Sequence, residues 1–339
     1  MKKLLSLLGP DPFLVLLVGT VSLATVLPCR DEGARIFAWI TDAGITLLFF
    51  FHGAKLSRQT LLAGAGHWSL HLLVGASTFV LFPLLGLAVR ALGRGWMDPN
   101  MAAGVVFLCL LPSTVQSSIA FTSIARGNVP AAVCTAAFSN MAGVFITPLL
   151  VTAFLAARLG DHESGLRSIE SIALEILAPF IVGHLCRPLI LGIIERHRRL
   201  VGSVDRGSIL LVVYTAFSAA VIQGLWRSVS TADLALVVVI DVALLVIVLV
   251  CTRTVARILG FSKEDEITIV FCGSKKSLAS GVPIAKVLFP TAAVGPIILP
   301  LMLFHQIQLM ACAVIARRYA MRAQRRSDGS TVAAQSSPG

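Results

Sequence analysis

Apolar residues run through this chain in long unbroken blocks separated by short polar stretches. Ten blocks approach the roughly 20 residues a helix needs to cross a bilayer: about 11–28, 36–54, 67–89, 101–124, 129–157, 169–190, 208–226, 232–255, 266–289 and 292–316. They are continuous rather than alternating, which predicts helices, and a helix satisfies its own backbone in lipid where an open strand does not. The expected class is an all-α polytopic membrane protein of ten transmembrane helices. Two blocks are interrupted. "LLPSTVQSSIAF" (110–121) and "FCGSKKSLASGVP" (271–283) place hydroxyls, glycines, prolines and two lysines inside otherwise apolar spans.

The interruptions are about half the chain apart, as are "DPFLVLLVG" in span 1 and "APFIVGHLC" in span 6. Five spans per half is an odd number, so the second half crosses in the opposite sense. This predicts two inverted repeats, residues 1–160 and 161–319, followed by a polar, disordered tail at 320–339. Broken helices at matching positions are the sequence signature of a secondary transporter with its site near the midplane.

Composition agrees with this reading. Hydrophobic residues make up 56% of 339 positions, charged residues 13%, and mean hydropathy is +0.88, against roughly 25% charge in a soluble domain. The net charge of +11 does not indicate nucleic acid. It sits in loops, with 18 Lys and Arg on the side of the N-terminus, eight on the other side, and Lys275 and Lys276 inside a span. That bias puts both termini in the cytoplasm of a bacterial inner membrane. "MKKLLSLL" opens like a signal peptide, but "GPDP" interrupts it early and nine more spans follow, so it is expected to be retained. The seven cysteines form no CxxC pair and are expected as buried thiols, with no metal.

Candidate chemistry gathers at the interruptions. Pro112 weakens the helix, and Ser113, Thr114, Ser117 and Ser118 then offer hydroxyls. In span 9, Gly273, Gly281 and Pro283 bracket Lys275, Lys276, Ser277 and Ser280. A lysine at the centre of a membrane helix costs about 2.5–3.5 kcal/mol on insertion scales, so two of them call for a function. Neighbours on a helix diverge by about 100°, so both reach one cavity only if the helix unwinds. Asp241, within "LVVVIDVALLVIVL" of span 8, is the coupling candidate, with one of the lysines its expected partner. Glu175 and Asp42, nearer span ends, are expected to anchor the interface, and His67 and His71 to be hydrogen-bonded structural residues. HExxH, GxSxG, a paired-aspartate motif and the spacing of a phosphate loop are all missing, so neither an enzyme nor a cofactor is expected.

At these residues the chain resembles the bile acid:sodium symporter superfamily, in its SBF-like branch. The resemblance spans about residues 10–318 and is carried by "LLFFFHGAKLS" (47–57), "STFVLFPLLGL" (77–87), "LPSTVQSSIAFTSIARGN" (111–128) and "FCGSKKSLASGVPIAKVLF" (271–289). It implies a panel of spans 1, 2, 6 and 7 and a core of spans 3–5 and 8–10, with helices 4 and 9 crossing and solute bound between panel and core. In sodium-coupled members, one ion is held by a Ser-Asn pair after the span 4 break, span 5 hydroxyls and a span 9 glutamate. Here Ser117 and Ser118 match the pair, span 5 offers Thr135, Ser139 and Asn140, and Phe271 or Cys272 falls near the glutamate. The second ion uses that glutamate and glutamines of spans 9 and 3, where this chain has Lys275 or Lys276, and Thr78. The departures share one direction: carboxylate and amides are lost and ammonium groups gained. The resemblance therefore implies a secondary transporter of a small organic anion without the usual sodium sites. Its drive would come from protons, through Asp241 and a lysine, or from anion exchange. A sodium symporter keeping one site and a non-transporting regulatory membrane protein are the alternatives, and a homodimer is left open.

Overall fold

The computed structural model describes residues 12–55, 67–93, 95, 97–155, 173–224 and 229–335. Among these, every regular element is a helix: α1 (Pro12–Val26), α2 (Asp31–Lys55), α3 (Trp68–Leu92), α4 (Pro99–Leu110), α5 (Gln116–Ile124), α6 (Val129–Leu155), α7 (Ala178–Arg196), α8 (Arg198–Ile222), α9 (Thr231–Ile258), α10 (Lys263–Gly273), α11 (Leu278–Leu288) and α12 (Thr291–Gln335). The starts follow local chemistry. Asp98 accepts from Asn100 N at 2.8 Å and Met101 N at 3.2 Å, with Pro99 in the first turn of α4. Ser230 and Asp233 form a reciprocal capping box at α9. Ser262 and Ser277 cap α10 and α11.

Seven helices are long and apolar enough to cross a membrane, α2, α3, α6, α7 with the π turn before it, α8, α9 and α12. The other three expected spans fall on α1, with 15 residues, and on the pairs α4–α5 and α10–α11. Each member of those pairs is too short to cross alone, because the polar interruptions read in the sequence do break the helix. Pro112 has no N–H to give, so α4 stops at Leu110 and α5 resumes at Gln116. The second break lies between Gly273 and Leu278 and holds both lysines.

Some expected bounds shift. Polar residues extend α2 back to Asp31 and α8 back to Arg198, since helix termini accept charge outside the apolar layer. At the C-terminal end α12 runs on to Gln335. The repeat boundary at 160/161 lies outside the described residues.

Two groups of helices pack among themselves: α1, α2, α7 and α8, and α3–α6 with α9–α12; α8 also lies against α11 and α12. In the first group α2 and α7 cross backbone to backbone. A β-carbon on Gly53 would meet Phe180 O at 1.9 Å, and one on Gly183 would meet Phe50 O at 1.9 Å. Only glycine permits that approach.

Candidate functional site

The site grows from backbone groups that the breaks leave without helical partners. In α3, residues Ser77–Leu81 form a π turn, and Phe82 N bonds back to Ser77 O. Thr78 O would next be served by residue 83, which is a proline without an N–H, so that carbonyl is left open. In span 4 the N–H of Ser113, the helical partner of Cys109 O, turns instead to Ser139 Oγ at 3.0 Å. Cys109 O and Leu111 O are then open as well.

Lys276 fills this gap. Its Nζ donates to Thr78 O at 2.9 Å, Cys109 O at 2.9 Å and Leu111 O at 2.7 Å, and lies 4.1 Å from the Phe82 ring centroid. Lys275 turns elsewhere, its Nζ donating to Ser117 O at 2.8 Å and sitting 4.0 Å from the Phe121 ring centroid. Both side chains are fully buried. The helix does unwind at the adjacent lysines, yet their ammonium groups go to different neighbours and not to one cavity.

The carbonyls of α10 are laced to span 4 and α3 in the same way. Ser113 Oγ donates to Cys272 O at 2.6 Å, Ser118 Oγ to Phe271 O at 3.2 Å, and Ser77 Oγ to Gly273 O at 2.8 Å. Ser277 N donates to Pro112 O at 2.9 Å, so the two breaks touch directly. Thr114 Oγ1 lies 2.6 Å from Ser117 Oγ and 3.1 Å from Ser118 Oγ. Gly143 of α6 admits Pro112, whose Cβ would stand 2.5 Å from an added β-carbon.

One member of this lattice escaped sequence reasoning. Gln308 of α12 is fully buried and clasps the backbone of Lys276, donating to Lys276 O and accepting from Lys276 N, both at 2.9 Å. The signal was the polar set His305, Gln306 and Gln308 inside an apolar span.

Not every expected residue joins the lattice. Ser139 does, while Thr135, one turn away, lies 2.6 Å from His71 Nδ1. Asn140 faces another place: its Oδ1 accepts from Ser280 Oγ at 2.8 Å. Asn140 and Ser280 line a cavity of about 50 Å³ with Leu48, Phe49, His52, Met141, Val144 and Phe180, between the two helix groups. Ser277 and Ser280 form the first turn of α11, so the positive end of that helix meets the cavity. A wider cavity of about 570 Å³, with Arg30, Asp31, Gln223 and Lys286 in its walls, lies at the ends of α8 and α11. Near it Lys286 Nζ bridges α11 to Asp42 of α2 at 3.3 Å.

Asp241 departs from expectation. It is fully buried in α9, yet neither carboxyl oxygen has a hydrogen-bond partner among the described residues. The expected lysine partner fails because Lys275 and Lys276 are committed to backbone carbonyls. No group of metal-binding side chains occurs among the described residues.

Residues 11–321 match the SBF-like CPA transporter family. A Pseudomonas aeruginosa protein, PA2026, is 60% identical over 92% of this chain and 94% of its own length. An Escherichia coli K12 protein with the name "Putative symporter YfeH" is 52% identical over 91% and 92%. Sodium/bile acid cotransporter 7 of Danio rerio is 26% identical over 81% and 82%. The chain belongs to the SBF-like CPA transporter family, as an integral membrane transporter of the bile acid:sodium symporter type and not an enzyme.

Proposed function

We propose that the protein is a secondary transporter that moves a small organic anion by alternating access, with tethered ammonium groups where sodium-coupled relatives hold ions. One observation carries the reading. Lys275 and Lys276 and the N-termini of α5 and α11 bring positive charge to the touching breaks, and no carboxylate pairs with either lysine among the described residues. Such a field favours an anion near the midplane. It opposes sodium: at 4 Å, an ammonium repels a monovalent cation by about 4 kcal/mol at an effective dielectric of about 20.

In this reading ten spans form two inverted five-helix repeats, with α4–α5 and α10–α11 as equivalent broken helices. α1, α2, α7 and α8 are the panel, the remaining helices the core, and the solute contacts Asn140 and Ser280 between them. The lysines act on the solute through the field and through the shape of the crossing, since their ammonium groups are occupied by carbonyls. Asp241, buried and without a hydrogen-bond partner among the described residues, is the proton carrier, because such an ionisable group at membrane depth is a functional candidate.

The test is counterflow of labelled organic anions into proteoliposomes. Saturable exchange that falls with Asn140→Ala supports the reading, and conductance without saturation overturns it. Asp241→Asn is expected to abolish acceleration by a pH gradient while the protein stays folded and exchange persists. An unchanged response to the gradient would remove Asp241 from coupling.

A further inference from the structure

We propose that the groove between α9, α10 and α12 binds one anionic phospholipid from the membrane face that carries the C-terminal ends of α9 and α12. Two helix stripes face one another there. Val246, Leu249, Val250 and Arg253 follow i, i+3, i+4, i+7 spacing on α9, and Ile315, Arg318, Tyr319 and Arg322 do so on α12. They enclose about 290 Å³. Both stripes run from apolar to basic in the same direction, as a lipid runs from acyl chain to phosphate.

The groove opens toward the bilayer: Val246 is 52% and Val250 57% exposed. At the basic end one carboxylate serves too many cations. Glu266 accepts from Lys263 Nζ at 2.6 Å and Arg257 Nε at 3.1 Å, and lies 3.6 Å from Arg253 Nε. Tyr319 OH takes another position on it at 3.1 Å. Arg253 Nε is buried without a hydrogen bond. Arg318 and Arg322 are exposed and enter no ion pair among the described residues. The local excess of positive charge calls for an anion, and the lipid-facing valines favour one that brings its own hydrocarbon. A phosphate free in water would leave that wall uncovered.

The experiment is native mass spectrometry of the full chain in detergent, titrated with phosphatidylglycerol, with phosphatidylcholine of the same acyl chains, and with glycerol phosphate as competitor. Phosphatidylglycerol is expected to bind at least about tenfold more tightly than phosphatidylcholine, and glycerol phosphate is expected not to displace it. Combining Arg318→Gln with Arg322→Gln is expected to weaken binding roughly 30-fold, at about 1 kcal/mol per arginine near a charged lipid surface and 1.4 kcal/mol per tenfold. Val246→Trp, which fills the groove and leaves the arginines in place, is expected to weaken it as well. Equal affinity for the two lipids, displacement by glycerol phosphate, or full binding by both variants would overturn the proposal.

Discussion

Lys276 shows how a buried charge is accommodated by a handful of atoms. Its insertion costs about 3 kcal/mol, and each hydrogen bond to a charged group returns about 1.5–3 kcal/mol. Three such bonds, at 2.7–2.9 Å, outweigh the cost. Lys276→Met has similar reach but no donor, and it leaves three buried carbonyls open. We expect it to lower unfolding stability by about 3 kcal/mol, from roughly 1 kcal/mol per orphaned group, as read by thermal melting in detergent. A more stable Met variant would mean that desolvation dominates and that the lysine is kept for function alone. The position of this residue was legible, because lysine in an apolar span calls for a reason. Its partners were not. They are carbonyls freed by Pro83 and Pro112 and an amide from Gln308, 32 residues downstream, and no local pattern announces such contacts. Asp241 was singled out for the same reason as the lysines, yet pairing it with them failed, since sequence does not show that the ammonium groups are already taken.

The broken helices make the same point for whole elements. Proline and clustered hydroxyls marked where spans 4 and 9 would break, and the breaks lie there, at 111–115 and 274–277. Contact between them depends on one small residue in a third helix. Gly143 sits against Pro112, where a methyl would come within 2.5 Å of its Cβ. Gly143→Ala is expected to destabilise by about 1–3 kcal/mol through overpacking. Gly75→Ala, with nothing within 4 Å of the added carbon, is expected to be neutral or to stabilise by up to about 1 kcal/mol. Equal melting shifts for the two variants would show that the crossing relaxes freely and is not fixed by this contact. The π turn of α3 was less legible, because a hydrophobic pattern does not distinguish i+4 from i+5 bonding, although Pro83 supplied a hint.

Across the whole chain, the match to the SBF-like CPA transporter family covers residues 11–321, and two buried lysines lie at the point where the two helix breaks touch. Two ammonium groups are anchored on backbone oxygens, and hydroxyls of Ser113 and Ser118 are spent on α10 carbonyls. In the proposed transporter these fixed charges replace bound sodium. The direct measurement is the melting temperature of the purified protein across a titration of sodium chloride against choline chloride at constant ionic strength and pH. A native-state site in sodium at about 100 times its Kd would add about 2.7 kcal/mol of stability, a shift readily seen. Superimposable melting curves are expected at every sodium concentration. A saturable rise in melting temperature with sodium would contradict it, and would mean that Thr114, Ser117 and Ser118 still hold a cation beside the lysines.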